Sequence, residues 1–255
     1  DWTNGFQKID IAVASGRPPD ILISTSGIAL KYARFGLLEP FDNHISQADI
    51  EDFGAFYSFS EYEGKHYFLP FIGGNRYMMA NLRIFQERKA MHLLPKEGDR
   101  LWTFDQFLAA AKATTFDRDS DGEIDVYGFA MPFQRSSPQQ DQLPFFWGHG
   151  ARQFNETGDS LVINSDMGVR ALQFMVDLEH AHQVIPQGSA GLRSNDITDM
   201  WNSGNLAMRH AYHGTRLAHQ RALETGVIDN DIIELYPMMY PSLPGIKPGA
   251  FVVAD

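Results

Sequence analysis

Apolar residues recur at helical spacing in two long stretches of the chain. The first stretch covers residues 6–13 and stops at Gly16, and the second covers residues 165–182 with Ser165 as a good N-cap. Residues three and four positions apart share one face of a helix, so both stretches predict amphipathic helices.

Shorter signals add further helices between these two. Thr103 and Gln106 form a capping-box pattern ahead of an apolar run, which predicts a helix that ends near Thr114. Three more short helices are predicted at residues 28–35, from residue 82 to about residue 90, and ahead of Gly204.

Apolar and β-branched runs predict strands between the helices. They lie at residues 20–24, 127–132, 206–211 and 232–236, and residues 62–70 predict a hairpin with Gly64-Lys65 at its turn. Helices and strands that alternate at short intervals are typical of an α/β fold.

Composition narrows the class of protein. The chain has 255 residues, of which 44% are hydrophobic and 21% charged, so it can bury a core and form one or two domains. It has no cysteine, which excludes disulfides, thiolate metal sites and cysteine nucleophiles. The formal charge of -11 repels phosphate backbones and anionic membranes, so we expect no nucleic-acid partner.

Several local patterns follow one another in a fixed order. They are Gly-Arg-Pro-Pro-Asp at residues 16–20, Gly-Leu-Leu-Glu-Pro at 36–40, Gly64-Lys65 with Leu69-Pro70, Asn81 with Phe85, Trp-Thr-Phe-Asp-Gln-Phe at 102–107, Asn164-Ser165, and Trp-Asn-Ser-Gly-Asn-Leu-Ala-Met at 201–208. In this order the patterns resemble the bacterial extracellular solute-binding proteins of family 1, the group that includes maltose-binding protein. The resemblance spans nearly the whole chain and departs at Met79-Ala80, where the family often carries an aromatic pair.

The resemblance implies a fold and a division into domains. The fold is α/β, of the periplasmic-binding-protein type II, with two lobes and a ligand cleft. The first lobe would take residues 1–115, the second residues 116–245, and residues 246–255 would return to the first. Because the family's opening strand and closing helices have no counterpart here, we interpret both ends of the chain as truncations.

The resemblance also implies a function. A receptor of this kind captures a small polar ligand, here a mono- or oligosaccharide, by closure of the cleft, and it delivers the ligand to the membrane subunits of an ABC transporter. We expect a monomer in the periplasm or outside the cell, lipid-anchored through a removed N-terminus. The alternatives are a receptor for a non-sugar solute and a carbohydrate-acting hydrolase.

Ten residues are candidates for ligand binding. Residues 75–77 offer an amide, a guanidinium and an aromatic ring beside two glycines, and for the other seven the resemblance implies a loop or strand end that faces the cleft. The ten candidates are Thr25, Ser26, Asn75, Arg76, Tyr77, Arg135, Gln139, Trp147, Tyr212 and His213. Each also has a structural interpretation: an N-cap for Thr25 and Ser26, a glycine turn and strand for residues 73–77, a core position for Trp147, and a surface turn for residues 212–214.

An acidic loop carries the spacing of a calcium site. Asp117, Asp119, Asp121 and Asp125 follow the EF-hand pattern, with Glu123 offering its carbonyl at the seventh position. The twelfth position is Gly128, so the bidentate glutamate is missing. The sequence predicts a weak structural Ca²⁺ site, and the alternative is a solvated acidic turn.

Other chemistry has little support in the sequence. The pairs His180/His182 and His210/His213 offer imidazoles for zinc, but no third ligand is evident. The nucleophile elbow, the phosphate-binding loop and the His-Glu-x-x-His motif are all missing from the sequence, so we expect no enzyme. Paired carboxylates for glycoside hydrolysis meet only in the fold, which keeps the hydrolase as an alternative.

Overall fold

The computed structural model describes residues 2–70, 73–134, 139–229, 232–249 and 252–254. The chain packs into two compact units: unit 1 consists of Asp1–Asn75 and Val252–Asp255, and unit 2 of Arg76–Phe251. Unit 2 takes in parts of all three ranges named above, 1–115, 116–245 and 246–255, and those lobe limits stay predictions.

In the described ranges the α-helices and strands follow one another mostly in runs: three helices, three strands, five helices, and then a strand, a helix and two strands. The helices of the described residues are α1 (Trp2–Ala14), α2 (Ser26–Arg34), α3 (Gln47–Phe53), α4 (Leu82–Glu87), α5 (Phe104–Ala113), α6 (Gln139–Gly148), α7 (Asp166–His180), α8 (Ser194–Asn202) and α9 (Thr215–Glu224). The strands are β1 (Glu61–Tyr62), β2 (Lys65–His66), β3 (Gly73–Asn81), β4 (Met208–Tyr212), β5 (Leu235–Met238) and β6 (Val252–Ala254). The predicted α/β class is confirmed, but the predicted alternation at short intervals is wrong for most of the described chain.

In unit 1 a single carboxylate joins the first two helices. Asp10 on α1 accepts hydrogen bonds from the Lys31 ammonium at 2.6 Å and from the Tyr32 hydroxyl at 2.7 Å, both on α2. Helix α3 begins at a capping box in which Ser46 and Asp49 each accept a backbone hydrogen bond from the other. Three short helices are thereby fixed by polar contacts at or near their ends.

Two strand predictions in unit 1 need correction. The hairpin exists, but Tyr62 pairs with Lys65, so its turn is Glu63-Gly64 and not Gly64-Lys65. Both turn residues have positive φ, 51° and 76°, as a tight two-residue hairpin turn requires. Residues 20–24 form no strand. None of the strands in the described ranges pairs with this segment, and Ile21 and Ile23 are 87% and 70% exposed.

Unit 2 is organised around an antiparallel sheet in which β3 lies between β4 and β5. The two outer strands were predicted slightly early, since β4 begins at Met208 and β5 at Leu235. The strand predicted at residues 127–132 is not a regular strand. This segment makes two isolated parallel bridges, Tyr127 with Leu206 and Ala130 with Arg209.

The sheet of unit 2 is buried on both faces. Successive residues of a strand point to opposite sides, and Met78 and Ala80 pack into an aromatic core with Phe107, Phe129 and Phe145. Met79 packs on the other side into a second core with Trp201 and Leu206. All three β3 side chains are at most 2% exposed. The buried strand β3 therefore holds β4 and β5 in place on either side of it.

The predicted caps of the longer helices are confirmed. At the start of α5 the Thr103 side chain accepts a hydrogen bond from Gln106 N, and the Gln106 side chain accepts one from Thr103 N. At the start of α7 the Ser165 hydroxyl accepts a hydrogen bond from Gly168 N. Most of the apolar stripe predicted on α7 is exposed. Met175 and Leu178 are buried, whereas Val169, Leu172 and Val176 are 60%, 54% and 42% exposed.

Candidate functional site

Arg76 and Tyr212 lie directly opposite each other where β3 and β4 pair. The Arg76 guanidinium carbon is 5.3 Å from the centre of the Tyr212 ring, and its Nη2 donates a hydrogen bond to the Gln140 side chain on α6. Tyr212 is 39% exposed. Three separate segments thus place a cation and an amide beside an accessible aromatic ring.

The chain turns sharply after Tyr212, and this turn positions the ring. Tyr212 N donates a 2.9 Å hydrogen bond to the Thr215 hydroxyl, which joins the end of β4 to the start of α9. A side chain at Gly214 would lie 2.5 Å from the Tyr212 ring, so the ring requires glycine there. His213 is exposed, and its ring meets Tyr212 edge-on at 5.5 Å.

Two tyrosines and two further arginines are electrostatically linked at this strand end. Burial raises the pKa of Tyr77, the Arg216 charge works against that rise, and Tyr212 adds to it. Burial lowers the pKa of Arg209 to about 10, against the opposing effects of Tyr212 and Asp141. The Arg209 guanidinium lies 5.6 Å from the Trp201 ring centre, and Nε donates to the His210 carbonyl at 3.1 Å.

Four of these residues were not among the sequence candidates: Gln140, Asp141, Arg209 and Arg216. The sequence contained a signal for Arg209, because this charged residue interrupts the apolar run of a predicted strand. Met208 and Ala211, in the same strand, are buried. Gln140 and Asp141 adjoin the predicted Gln139. Only the folded chain shows that they meet β3 and β4.

The remaining ligand candidates lie in several places. Gln139 is the exposed first residue of α6, and Arg135 lies outside the described residues. Trp147 is half-buried and packs on the backbone of Gly249, where a Cβ would be 2.6 Å from the indole. The contact with Gly249 supports the structural interpretation of Trp147 more than the ligand interpretation.

Three ligand candidates belong to unit 1. Thr25 occupies the N-cap position of α2, but its side chain makes no capping hydrogen bond, and Ser26 opens the helix. Asn75 is exposed and pairs with Val252 of β6. Unit 1 also has an open cavity of about 350 Å³, lined by Asp52, Phe53, Phe56, Pro70 and Gly73. The Phe56 ring covers Gly73, since a Cβ there would lie 2.6 Å from it.

The acidic loop of unit 2 brings together three of the four aspartates predicted as calcium ligands. Carboxylate oxygens of Asp117, Asp119 and Asp125 lie within 4.8 Å of one another, and Asp121 is not part of this group. The carbonyl ligand predicted at Glu123 stays a prediction. These three aspartates are the only group of three or more His, Asp or Glu side chains that could hold a metal in the described ranges. No zinc cluster of histidines forms there.

The loop carboxylates also accept hydrogen bonds from the loop's own backbone. Asp117 accepts 2.7 Å hydrogen bonds from Ser120 N and Gly122 N, and the Gly122 contact is the main reason that the pKa of Asp117 is lowered. Asp125 accepts from Arg118 N, and Asp121 accepts from Glu123 N. The fold of the loop satisfies these oxygens in part without a cation.

Two residues, Arg118 and Gly128, join the acidic loop to the rest of unit 2. The Arg118 guanidinium contacts Glu87 at 3.0 Å, Asn205 Oδ1 at 3.0 Å and the Gly204 carbonyl at 3.2 Å. Gly128, at the twelfth position of the pattern, packs against α5 so closely that a Cβ would lie 2.0 Å from the Ala111 carbonyl oxygen. A glutamate ligand has no room at this position.

Comparison with known proteins identifies the family. The model of the family described as bacterial extracellular solute-binding protein matches residues 1–250. The chain belongs to this family. A curated relative, the maltotriose-binding protein of Pyrococcus abyssi, is 32% identical over 80 residues, which cover 31% of this chain and 18% of the relative.

Solved structures show the same fold. An ABC transporter solute-binding protein of Thermotoga lettingae, bound with α-D-tagatose, matches 99% of this chain with a TM-score of 0.83 and 19% identity. The maltose/maltodextrin-binding domain MalE of Bdellovibrio bacteriovorus, bound to maltotriose, matches 97% with a TM-score of 0.77 and 16% identity. The predicted type II periplasmic-binding-protein fold is confirmed. The chain spans 61% and 58% of these two proteins.

None of the helices within the described ranges has the length and apolar character needed to cross a lipid bilayer.

Proposed function

We propose that this protein is the receptor of an ABC importer and captures a mono- or oligosaccharide. Membership of the extracellular solute-binding family supports the receptor role. The curated relative is named for maltotriose, and the two solved structures hold α-D-tagatose and maltotriose. These names support a saccharide as the ligand class.

The observation that carries the proposal is the exposed Tyr212 ring with Arg76 above it and Gln140 beside Arg76. The apolar face of a sugar ring packs on an aromatic ring, while the sugar hydroxyls need aimed donors and acceptors. A guanidinium supplies donors, and an amide supplies both a donor and an acceptor. The group has the components that sugar recognition requires.

The proposal includes partners and location. The receptor works as a monomer in the periplasm or outside the cell, held by a lipid anchor, and passes its ligand to the importer's membrane subunits after its lobes close. Its family is described as extracellular, which supports the location. The acidic balance of the chain, -11, supports the expectation that nucleic acid is not a partner.

Calorimetric titration with maltotriose, maltose and D-tagatose tests the proposal, together with chromatography of each sugar after long incubation. We expect saturable binding of at least one sugar and its recovery unchanged. Shortened or hydrolysed sugar would favour the carbohydrate-acting hydrolase. Binding confined to non-sugar solutes in a thermal-shift screen would favour the other receptor type.

A further inference from the structure

Unit 1 contains an open cavity whose lining includes none of the ten ligand candidates. Its volume is about 350 Å³, and it is lined by Asp52, Phe53, Phe56, Pro70 and Gly73. A cavity of this volume is large enough for a small molecule, and apolar walls with a few polar side chains are typical of small-molecule sites. The chemistry of the lining therefore indicates which ligand fits.

Helix α3 and the 3₁₀ helix that follows it supply three of the lining side chains. Asp52 and Phe53 are the last two residues of α3, and Phe56 lies in the 3₁₀ helix. The Phe53 ring lies nearly parallel to the Tyr57 ring, at an angle of 13° and a centroid distance of 6.1 Å. The Phe56 ring covers Gly73. Contacts with these neighbours position both phenylalanine rings at the cavity.

Asp52 is the one charged residue among the described lining residues, and no cation of the described ranges pairs with it. Its side chain is exposed, and the ion pairs found in those ranges use other carboxylates. The preceding residue of α3, Glu51, accepts a hydrogen bond from Gln47 at 3.2 Å and does not line the cavity. The lining thus presents one negative charge that no basic side chain neutralises.

Several aromatic rings elsewhere in the chain lie under the protein's own cations. The Arg88 guanidinium carbon, for example, is 4.5 Å from the centre of the Phe116 ring. Such contacts are favourable because the face of an aromatic ring carries partial negative charge. In the part of the chain that the structure describes, no Lys or Arg lies over Phe53 or Phe56. These two rings are therefore available to a cation from outside the chain.

We infer that this cavity binds a small alkylated ammonium ion, as a second ligand in addition to the saccharide. The alkyl groups pack on the Phe53 and Phe56 rings, and the positive charge is attracted by these rings and by the Asp52 carboxylate. A quaternary ammonium has no N–H group to donate, so aromatic rings and one opposite charge are sufficient to bind it. A sugar fits this lining less well, because its hydroxyls need several aimed donors and acceptors. The inference does not rest on the proposed function.

Choline and 3,3-dimethyl-1-butanol test the inference, because the two molecules have nearly the same shape and differ in charge. Calorimetry measures the binding of each to the full chain at low and high sodium chloride. We expect saturable binding of choline that is roughly tenfold or more tighter than that of the neutral alcohol, because only the cation is attracted by the rings and by Asp52. Higher salt should reduce this preference.

Two variants with matched controls assign the binding to residues. Asp52→Asn should weaken choline binding roughly tenfold and leave alcohol binding unchanged, whereas Glu51→Gln, one position earlier on α3, should have a much smaller effect on choline. Phe56→Leu keeps an apolar side chain but removes the ring, so it should weaken choline binding more than alcohol binding. Phe59→Leu is its control, because that ring lies 6.1 Å from the Phe56 ring and outside the lining.

The outcomes decide the inference independently of the sugar titrations. Choline that fails to bind, or that binds no more tightly than the alcohol, overturns it. Equal losses in Asp52→Asn and Glu51→Gln show only a general attraction of an acidic surface for cations, and they overturn it too. If Phe56→Leu lowers the melting temperature, Asp52→Asn decides alone, because its side chain is exposed. Failure of choline leaves the proposed saccharide receptor in place, and failure of every sugar leaves the cation site in place.

Discussion

The acidic loop at residues 117–125 and the polar group around Tyr212 are built in opposite ways, although both belong to unit 2. The loop draws its carboxylates from nine consecutive positions and satisfies them partly with its own backbone, as Asp117 shows with Ser120 and Gly122. The Tyr212 group draws its side chains from β3, β4, α6 and α9. A local pattern is easy to detect in a sequence, but its ligand is harder to infer, because the loop already hydrogen-bonds to itself.

The largest expected effect concerns the packing that ends the acidic loop. Gly128→Ala places a methyl group 2.0 Å from the Ala111 carbonyl oxygen, which is backbone and has little freedom to move. We expect a loss of roughly 3 kcal/mol in the free energy of unfolding. Denaturant melts measure it. Gly191→Ala is the control, because nothing lies within 4 Å of its added methyl, and equal stability of both variants would contradict the packing argument.

Added calcium tests whether the acidic loop binds a ligand of its own. If the group of Asp117, Asp119 and Asp125 holds Ca²⁺, a concentration a hundredfold above the dissociation constant stabilises the protein by about 2.7 kcal/mol. Melting temperatures in millimolar calcium and in chelator measure the gain. Asp125→Asn should abolish it and Glu156→Gln, outside the loop, should not. Identical melting in calcium and chelator would support the solvated acidic turn.

Tyr212→Ala probes the other side of the comparison. Because the ring is 39% exposed, its loss should barely alter stability, while lost stacking and contact area should weaken sugar binding by about 1–3 kcal/mol. Calorimetry and denaturant melts on the same variant measure both quantities. Phe154→Ala, which removes a ring that is 48% exposed elsewhere in the chain, is the control. Intact affinity with a large loss of stability would place Tyr212 in the core instead.

The smallest expected effect is the pH dependence of the loop. Hydrogen bonds, first that from Gly122 N, hold the pKa of Asp117 below its ordinary value of 3.8. A carboxyl whose pKa is lower in the folded state contributes stability above its unfolded pKa and loses that contribution as pH falls through the folded pKa. Unfolding midpoints from about pH 6 to about pH 2 should therefore fall less steeply in Asp117→Asn than in the unmodified protein. Parallel curves would mean that the pKa of Asp117 does not change on folding, and would contradict this prediction.

Local signals explain which parts of the fold were predictable. The caps at Thr103 and Ser165 lie within one turn of the backbone groups they satisfy, so a few neighbouring letters predict α5 and α7 correctly. The strand predicted at residues 20–24 fails for the opposite reason. Its apolar residues fit a strand, but a strand forms only when a second strand hydrogen-bonds to it. The sequence of the segment alone does not show whether such a second strand is present.

The site was predictable in part, for the same reason. Arg76 and Tyr77 were predicted from the mixture of polar and aromatic groups at residues 73–77, which lie in β3. Tyr212 and His213 were predicted because they come at the end of a recognisable strand, where the resemblance implies a ligand-stacking ring. Gln140 and Asp141 were missed because their contacts with β3 and β4 depend on how α6 packs. Arg216 was missed because a surface arginine on a short helix has no pattern of its own.

The burial of β3 on both faces of the sheet predicts which backbone amides exchange last. Met78, Met79 and Ala80 are nearly inaccessible, and the strand is hydrogen-bonded to β4 on one side and β5 on the other. The amide protons of residues 78–80 have no local route to water, so they should exchange with deuterium only when the whole of unit 2 unfolds. The amides of the short, exposed turn at residues 213–214 should exchange many times faster. Near Tyr212, slowly exchanging amides of β3 are thus expected close to rapidly exchanging amides of the turn.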